Sequence, residues 1–152
     1  DHDARVSASR LTRLPMLQIF PLLAVSLALF TIFSIATGGG SRPWYEVEAL
    51  SIDLMSGDTW HITGGHLFIL FSMTMLFIEI LRSTRSGGAS IINHAFSVVV
   101  FVSALLLFLT KRGYGNSTFF IFTSMTFLDF MAGFIITTVT ARRDFAFGRV
   151  EE

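Results

Sequence analysis

The chain has 152 residues, of which 52% are hydrophobic and 14% charged, against about 25% charged in an ordinary soluble domain. Mean hydropathy is +0.65. These values exclude a disordered chain, argue against a soluble globule and put the sequence in the membrane class. Eleven basic and eleven acidic side chains cancel, so there is no electrostatic footprint for nucleic acid. With no cysteine, the sequence holds no disulfide, thiolate metal site or cysteine nucleophile.

Crossing about 30 Å of hydrocarbon takes about 20 helical residues. Four segments qualify: 14–37, 59–81, 90–110 and 118–141. Runs such as FSVVVFVSALLLFL do not alternate apolar and polar residues, as membrane strands would. The first apolar run is too long for a signal peptide's apolar region and reads as a retained helix. Within it, Pro15 falls in the first turn and Pro21 predicts a mild kink. GGG at 38–40 reads as a helix stop, and Gly64 and Gly65 open the second span for close packing. The connections RSTRSGGA and KRGYGNS are short and rich in turn formers, which makes successive helices antiparallel neighbours. The expected fold is an all-α membrane protein, one domain over 1–152, with four helices in an up-down-up-down bundle and one longer outer loop, 38–58.

Orientation follows the basic residues. Both termini and the 82–89 loop share one side, with Arg5, Arg10, Arg13, Arg82, Arg85, Arg142, Arg143 and Arg149. Only Arg42, Lys111 and Arg112 lie on the other. Both termini are therefore expected in the cytoplasm. Arg82, Arg85, Arg142 and Arg143 read as anchors or as contacts for lipid head groups. Trp44, Tyr45, Trp60 and Tyr114 fall at the outer ends and read as an interfacial belt.

Ionisable groups within a membrane span are costly, and there are five: His61, His66, Glu79, His94 and Asp129. In the second span His61, Gly65, Phe68, Ser72, Met75 and Glu79 form one stripe; in the third, Ser90, His94, Ser97, Phe101, Ala104 and Phe108; in the fourth, Thr126, Asp129, Gly133, Thr137 and Ala141. These stripes should face protein, and Phe120, Phe127, Met131 and Phe134 should face lipid. Glu79 and His94 lie at one level of a helical hairpin and are expected to hydrogen-bond. Asp129 lies near mid-membrane, where it is expected to be neutral and bonded to Ser72, Ser26 or a backbone carbonyl.

Haem through His66 or His94 is not expected, because within one subunit their depths differ by roughly 14 Å. His61 and His66 lie about 140° apart around a helix and cannot share one ion from one face. No P-loop, HExxH or GxSxG motif occurs, and no lysine lies within a span.

The phrases FIEILRSTR, SIINHAFS, FLDFMAGF and TARRDF resemble a group of small four-span bacterial inner-membrane proteins of unknown function. The resemblance runs from about Arg13 to Phe147; it implies a bacterial membrane and brings no activity. The sequence departs from small multidrug transporters, which carry a glutamate in their first helix, and from quinone-linked thiol oxidases, which need cysteine. The expected function is a non-enzymatic structural or accessory subunit of a larger membrane assembly, with a membrane-protein partner or a second copy. The alternatives are a small proton-coupled transporter or channel using Asp129, and a haem- or quinone-binding subunit.

Overall fold

A computed structural model describes residues 20–38, 40–83 and 89–147. Four helices carry the fold: α1 (Leu22–Ala36), α2 (Gly64–Ser83), α3 (Ala89–Thr110) and α4 (Ser117–Phe147). Between α1 and α2 lie a 3-10 turn (Trp44–Glu46) and two strands, β1 (Glu48–Asp53) and β2 (Thr59–Thr63). Among the described residues, α2, α3 and the Ser117–Ile136 part of α4 are each long and apolar enough to cross a membrane. The chain is a mostly helical membrane protein with a fourth, shorter apolar helix, α1.

The first span is shorter than the sequence suggests. Pro21 caps α1 in an extended conformation (φ −69°, ψ 125°) rather than kinking it from within. A proline ring clashes with the preceding turn, so a helix begins after it more readily than it runs through it. Residues 14–19, including Pro15, lie outside the described residues. At its far end α1 stops at Ala36, just before the glycines, as expected.

The second expected span also starts late. Residues 59–63 form a strand, and α2 begins at Gly64. β1 and β2 pair antiparallel, with Leu50 opposite Ile62, Ile52 opposite Trp60 and Asp53 opposite Thr59. One face of the hairpin is thus apolar, and the other carries Ser51, Asp53, Thr59 and His61. His61 pairs with Glu48 at 3.1 Å, so it belongs to the hairpin and not to the polar stripe of α2. Gly57 at φ +91° makes the turn, where a residue with a side chain would be strained. At the start of α2, Thr63 and His66 cap each other: the Thr63 amide donates to His66 Nδ1 (3.1 Å), and the His66 amide to Thr63 Oγ1 (3.4 Å). Asn116 opens α4 in the same spirit, its Oδ1 accepting from the Phe119 amide at 2.9 Å.

The bundle is organised around Phe30. Its ring lies 5.2 Å from Trp44 and Phe68, 5.4 Å from Tyr114 and 4.6 Å from Phe119. Phe30, Phe119 and Phe122 are completely buried. This aromatic plug joins α1, α2, α4 and both connections at the hairpin end. Tyr114, expected in an interfacial belt, is buried within it, while Trp60 is exposed. Trp44 is only partly exposed, with its indole N–H on Ser34 at 3.2 Å. Burial, the neighbouring Glu46 and an opposing hydrogen bond from Asn116 act on the Tyr45 phenol, whose pKa is raised above its ordinary value.

Gly64 and Gly65 permit the closest approach in this region. A Cβ on Gly64 would stand 2.6 Å from the Trp44 carbonyl oxygen, and one on Gly65 2.7 Å from Thr118 Oγ1. The remaining helix faces are strongly apolar and exposed, with Leu70, Phe77, Val99, Leu106, Phe120 and Phe134 among them. Phe120, Phe127 and Phe134 face outward as the stripe analysis requires, whereas Met131 of the same set is half-buried.

Candidate functional site

The aromatic plug fills one end of the interior, and polar side chains fill the rest. Ser26, Ser72, Glu79, Asn93, His94, Ser97, Thr126 and Asp129 are all buried. Helical spacing produces this: Gly65, Phe68, Ser72 and Glu79 recur on one face of α2, and all four are buried. Ser97 and Ala104 of α3, and Thr126, Asp129 and Gly133 of α4, do the same.

Glu79 is fully buried, and its partners differ from those expected. Its Oε2 accepts from the Leu23 amide at 3.3 Å, and its Oε1 accepts from Asn93 Nδ2 at 3.3 Å. The expected hydrogen bond to His94 is thus replaced by one to its sequence neighbour and by a cap on α1. The reason is geometric. The first amides of any helix have no intrahelical acceptor, and Pro21 places those of α1 at the level of Glu79. The carboxyl end of α2 therefore caps the start of α1, where an acceptor is also favoured by the helix dipole.

His94 turns instead toward α4. A Cβ on Gly133 would fall on its imidazole ring, so the glycine makes the space that the ring occupies. Asp129, one turn earlier on α4, lies within electrostatic range of His94. Asp129 accepts a short hydrogen bond, 2.6 Å, from Ser97 Oγ. Ser97 lies on the polar stripe of the third span, and it takes the place of the expected Ser72, Ser26 or backbone carbonyl as the partner of Asp129. Depth along the axis suggested the two serines; rotation about the helices selects Ser97. Ser26 and Ser72 are buried elsewhere in the interior, and their hydroxyls have no hydrogen-bond partner among the described residues.

Glu79 and Asp129 are both buried in this interior. Asn93 Oδ1 is buried without a hydrogen-bond partner among the described residues, and its amide nitrogen is on Glu79. The arrangement links α1, α2, α3 and α4 through two acids, an amide, a hydroxyl and an imidazole. Chemically it can hold and exchange a proton, or lock four helices in register.

Asn93 is the residue that sequence reasoning missed. Its signal was an amide beside a histidine in an otherwise apolar helix. The two tryptophans behave differently, Trp44 packing on the plug and Trp60 standing on the hairpin. His66 caps α2 at the plug end and His94 belongs to the acid cluster, so the structure does not bring them together. Arg82 is half-buried near the end of α2. Arg85 and the side chains of Arg142 and Arg143 lie outside the described residues. Among the described residues no three histidines or carboxylates gather into a metal site. The chain matches no protein-family model, no curated protein and no solved structure.

Proposed function

We propose that this chain is a non-enzymatic integral membrane protein that serves as a structural or accessory subunit of a larger membrane assembly. One observation carries the reading: each carboxyl buried in the bundle accepts hydrogen bonds from a neighbouring helix, Glu79 from Leu23 and Asn93, and Asp129 from Ser97. Polar groups used this way fix helix register and position in a solvent that offers no other partner. The exposed helix faces are apolar and suit lipid or a partner helix. In this reading the four helices run up-down-up-down across a bacterial inner membrane. Both termini are cytoplasmic and the hairpin is outside, following the eight-to-three split of basic residues.

Mild-detergent purification followed by native mass measurement tests the assignment. A stoichiometric membrane partner, or a defined homo-oligomer, supports it. A monomer that also carries protons in liposomes rejects it.

A second reading, a small proton-coupled transporter using Asp129, is favoured by one specific observation. Two buried carboxyls, Glu79 and Asp129, share an interior with oxygens of Ser26, Ser72 and Asn93 that have no hydrogen-bond partner among the described residues. Proton flux into liposomes that disappears in Asp129→Asn, with the fold intact, supports this reading. Equal flux in parent and variant dismisses it.

A further inference from the structure

Between the last turn of α1 and the 3-10 turn the surface opens into a groove of about 630 Å³. Phe33, Ala36, Trp44 and Val47 make its apolar walls, and Thr37 and Arg42 lie at its polar side. The walls are held in place. Trp44 is fixed by its hydrogen bond to Ser34 and by edge contact with Phe30, and the Phe33 ring lies 5.3 Å from it. The Thr37 hydroxyl is already used, donating to the Phe33 carbonyl at 2.6 Å.

That leaves Arg42 as the groove's recognition element. It is the only lysine or arginine between Leu14 and Leu81. Its connection is otherwise acidic, with Glu46, Glu48, Asp53 and Asp58. Among the described residues the one ion pair there is His61 with Glu48, so the Arg42 guanidinium has no carboxylate partner among them. The groove thus offers one cation beside a rigid apolar wall. Its depth is equally informative, because Phe33 and Ala36 belong to the end of an apolar helix, where hydrocarbon meets head groups.

We propose that this groove holds one anionic phospholipid, its phosphate on Arg42 and the upper part of its acyl chains along Phe33, Ala36, Trp44 and Val47. Charge complementarity and depth select this occupant. A soluble anion would leave the apolar walls uncovered, and a lipid of no net charge would gain less from the cation. A protein partner would need an interface of about 800 Å² on each side, more than this short groove presents. The inference rests on the membrane reading but on neither function proposed above.

The chain has two tryptophans, so Trp60→Phe leaves Trp44 as a single reporter inside the groove. This variant is reconstituted in phosphatidylcholine nanodiscs doped with brominated phosphatidylglycerol or brominated phosphatidylcholine. Failure to enter the discs as a monodisperse protein would reject the membrane reading itself, separately from the site. Trp44 should be half-quenched at about fivefold lower mole fraction of the anionic lipid. Arg42→Gln should make the two quenching curves coincide without moving the Trp44 emission maximum, and Arg42→Lys should restore part of the preference. Coincident curves in the parent, or an unchanged preference in Arg42→Gln, overturn the proposal. Relief of quenching by added inorganic phosphate would assign the site to a soluble anion and overturn it as well.

Discussion

Asp129 and Ser97 show what one buried carboxyl asks of its neighbours. The 2.6 Å hydrogen bond between them crosses from α3 to α4 in the middle of the polar interior. Asp129→Asn keeps an acceptor for Ser97 in the same volume and should leave thermal stability in detergent nearly unchanged. Asp129→Leu removes the acceptor and strands a buried hydroxyl, which should lower stability by about 1–3 kcal/mol. Thermal unfolding of the two variants side by side measures the difference, and equal melting would show the bond to be unimportant. Glu79 makes a different demand, because its partners include backbone. Glu79→Leu strips the acceptor from the Leu23 amide and from Asn93, whereas Glu79→Gln retains one. Amide exchange in the first turn of α1 should accelerate in the leucine variant and stay slow in the glutamine variant. Unaltered exchange at Leu22 and Leu23 in both would remove the capping role.

At the scale of elements, close approach and capping decide where helices begin. Gly65 brings the start of α2 against Thr118 and the Tyr45 carbonyl, with an added Cβ only 2.7 and 2.8 Å from their oxygens. Gly65→Ala should therefore destabilise the bundle by about 1–3 kcal/mol through overpacking. Gly57→Ala, at the open tip of the hairpin, should cost only about 1 kcal/mol of local strain and leave the melting of the bundle unchanged. A larger effect at Gly57 than at Gly65 would contradict the packing described for α2. The hairpin itself was legible in principle. Leu50 and Ile52, then Trp60 and Ile62, alternate with polar residues around Ser56, Gly57 and Asp58. Hydropathy hides it, because Thr59–Thr63 continues into an apolar helix and a short strand at the edge of an apolar run carries no separate signal.

For the whole molecule the testable quantity is orientation. The sequence contains no cysteine, so a cysteine introduced at Ser56 or at Glu152 is the only thiol within these 152 residues. An impermeant maleimide should label Ser56→Cys in intact bacterial cells and should label Glu152→Cys only after lysis. The reverse pattern would invert the topology and assign the hairpin to the cytoplasm. The positive-inside argument depends on charge counts alone, which makes this a direct trial of it.

Sequence alone determined the membrane class, the existence of four apolar segments and several of the positions that turn inward. Each follows from local properties: an apolar run of sufficient length, and polar or small residues repeating every three or four positions. Glu79, Ser72, His94 and Asp129 were all identified on that basis, and all four are buried. Their partners were decided only by tertiary structure. A hydrogen bond between helices depends on rotation as well as depth, and a step of one residue turns a side chain by about 100°. That step separates Asn93, on Glu79, from His94, beneath α4. Ser97 rather than Ser72 reaches Asp129 for the same reason. The cap from Glu79 to α1 was beyond sequence reasoning for a further reason: it required knowing that α1 begins after Pro21, and that its unpaired amides meet the far end of another helix.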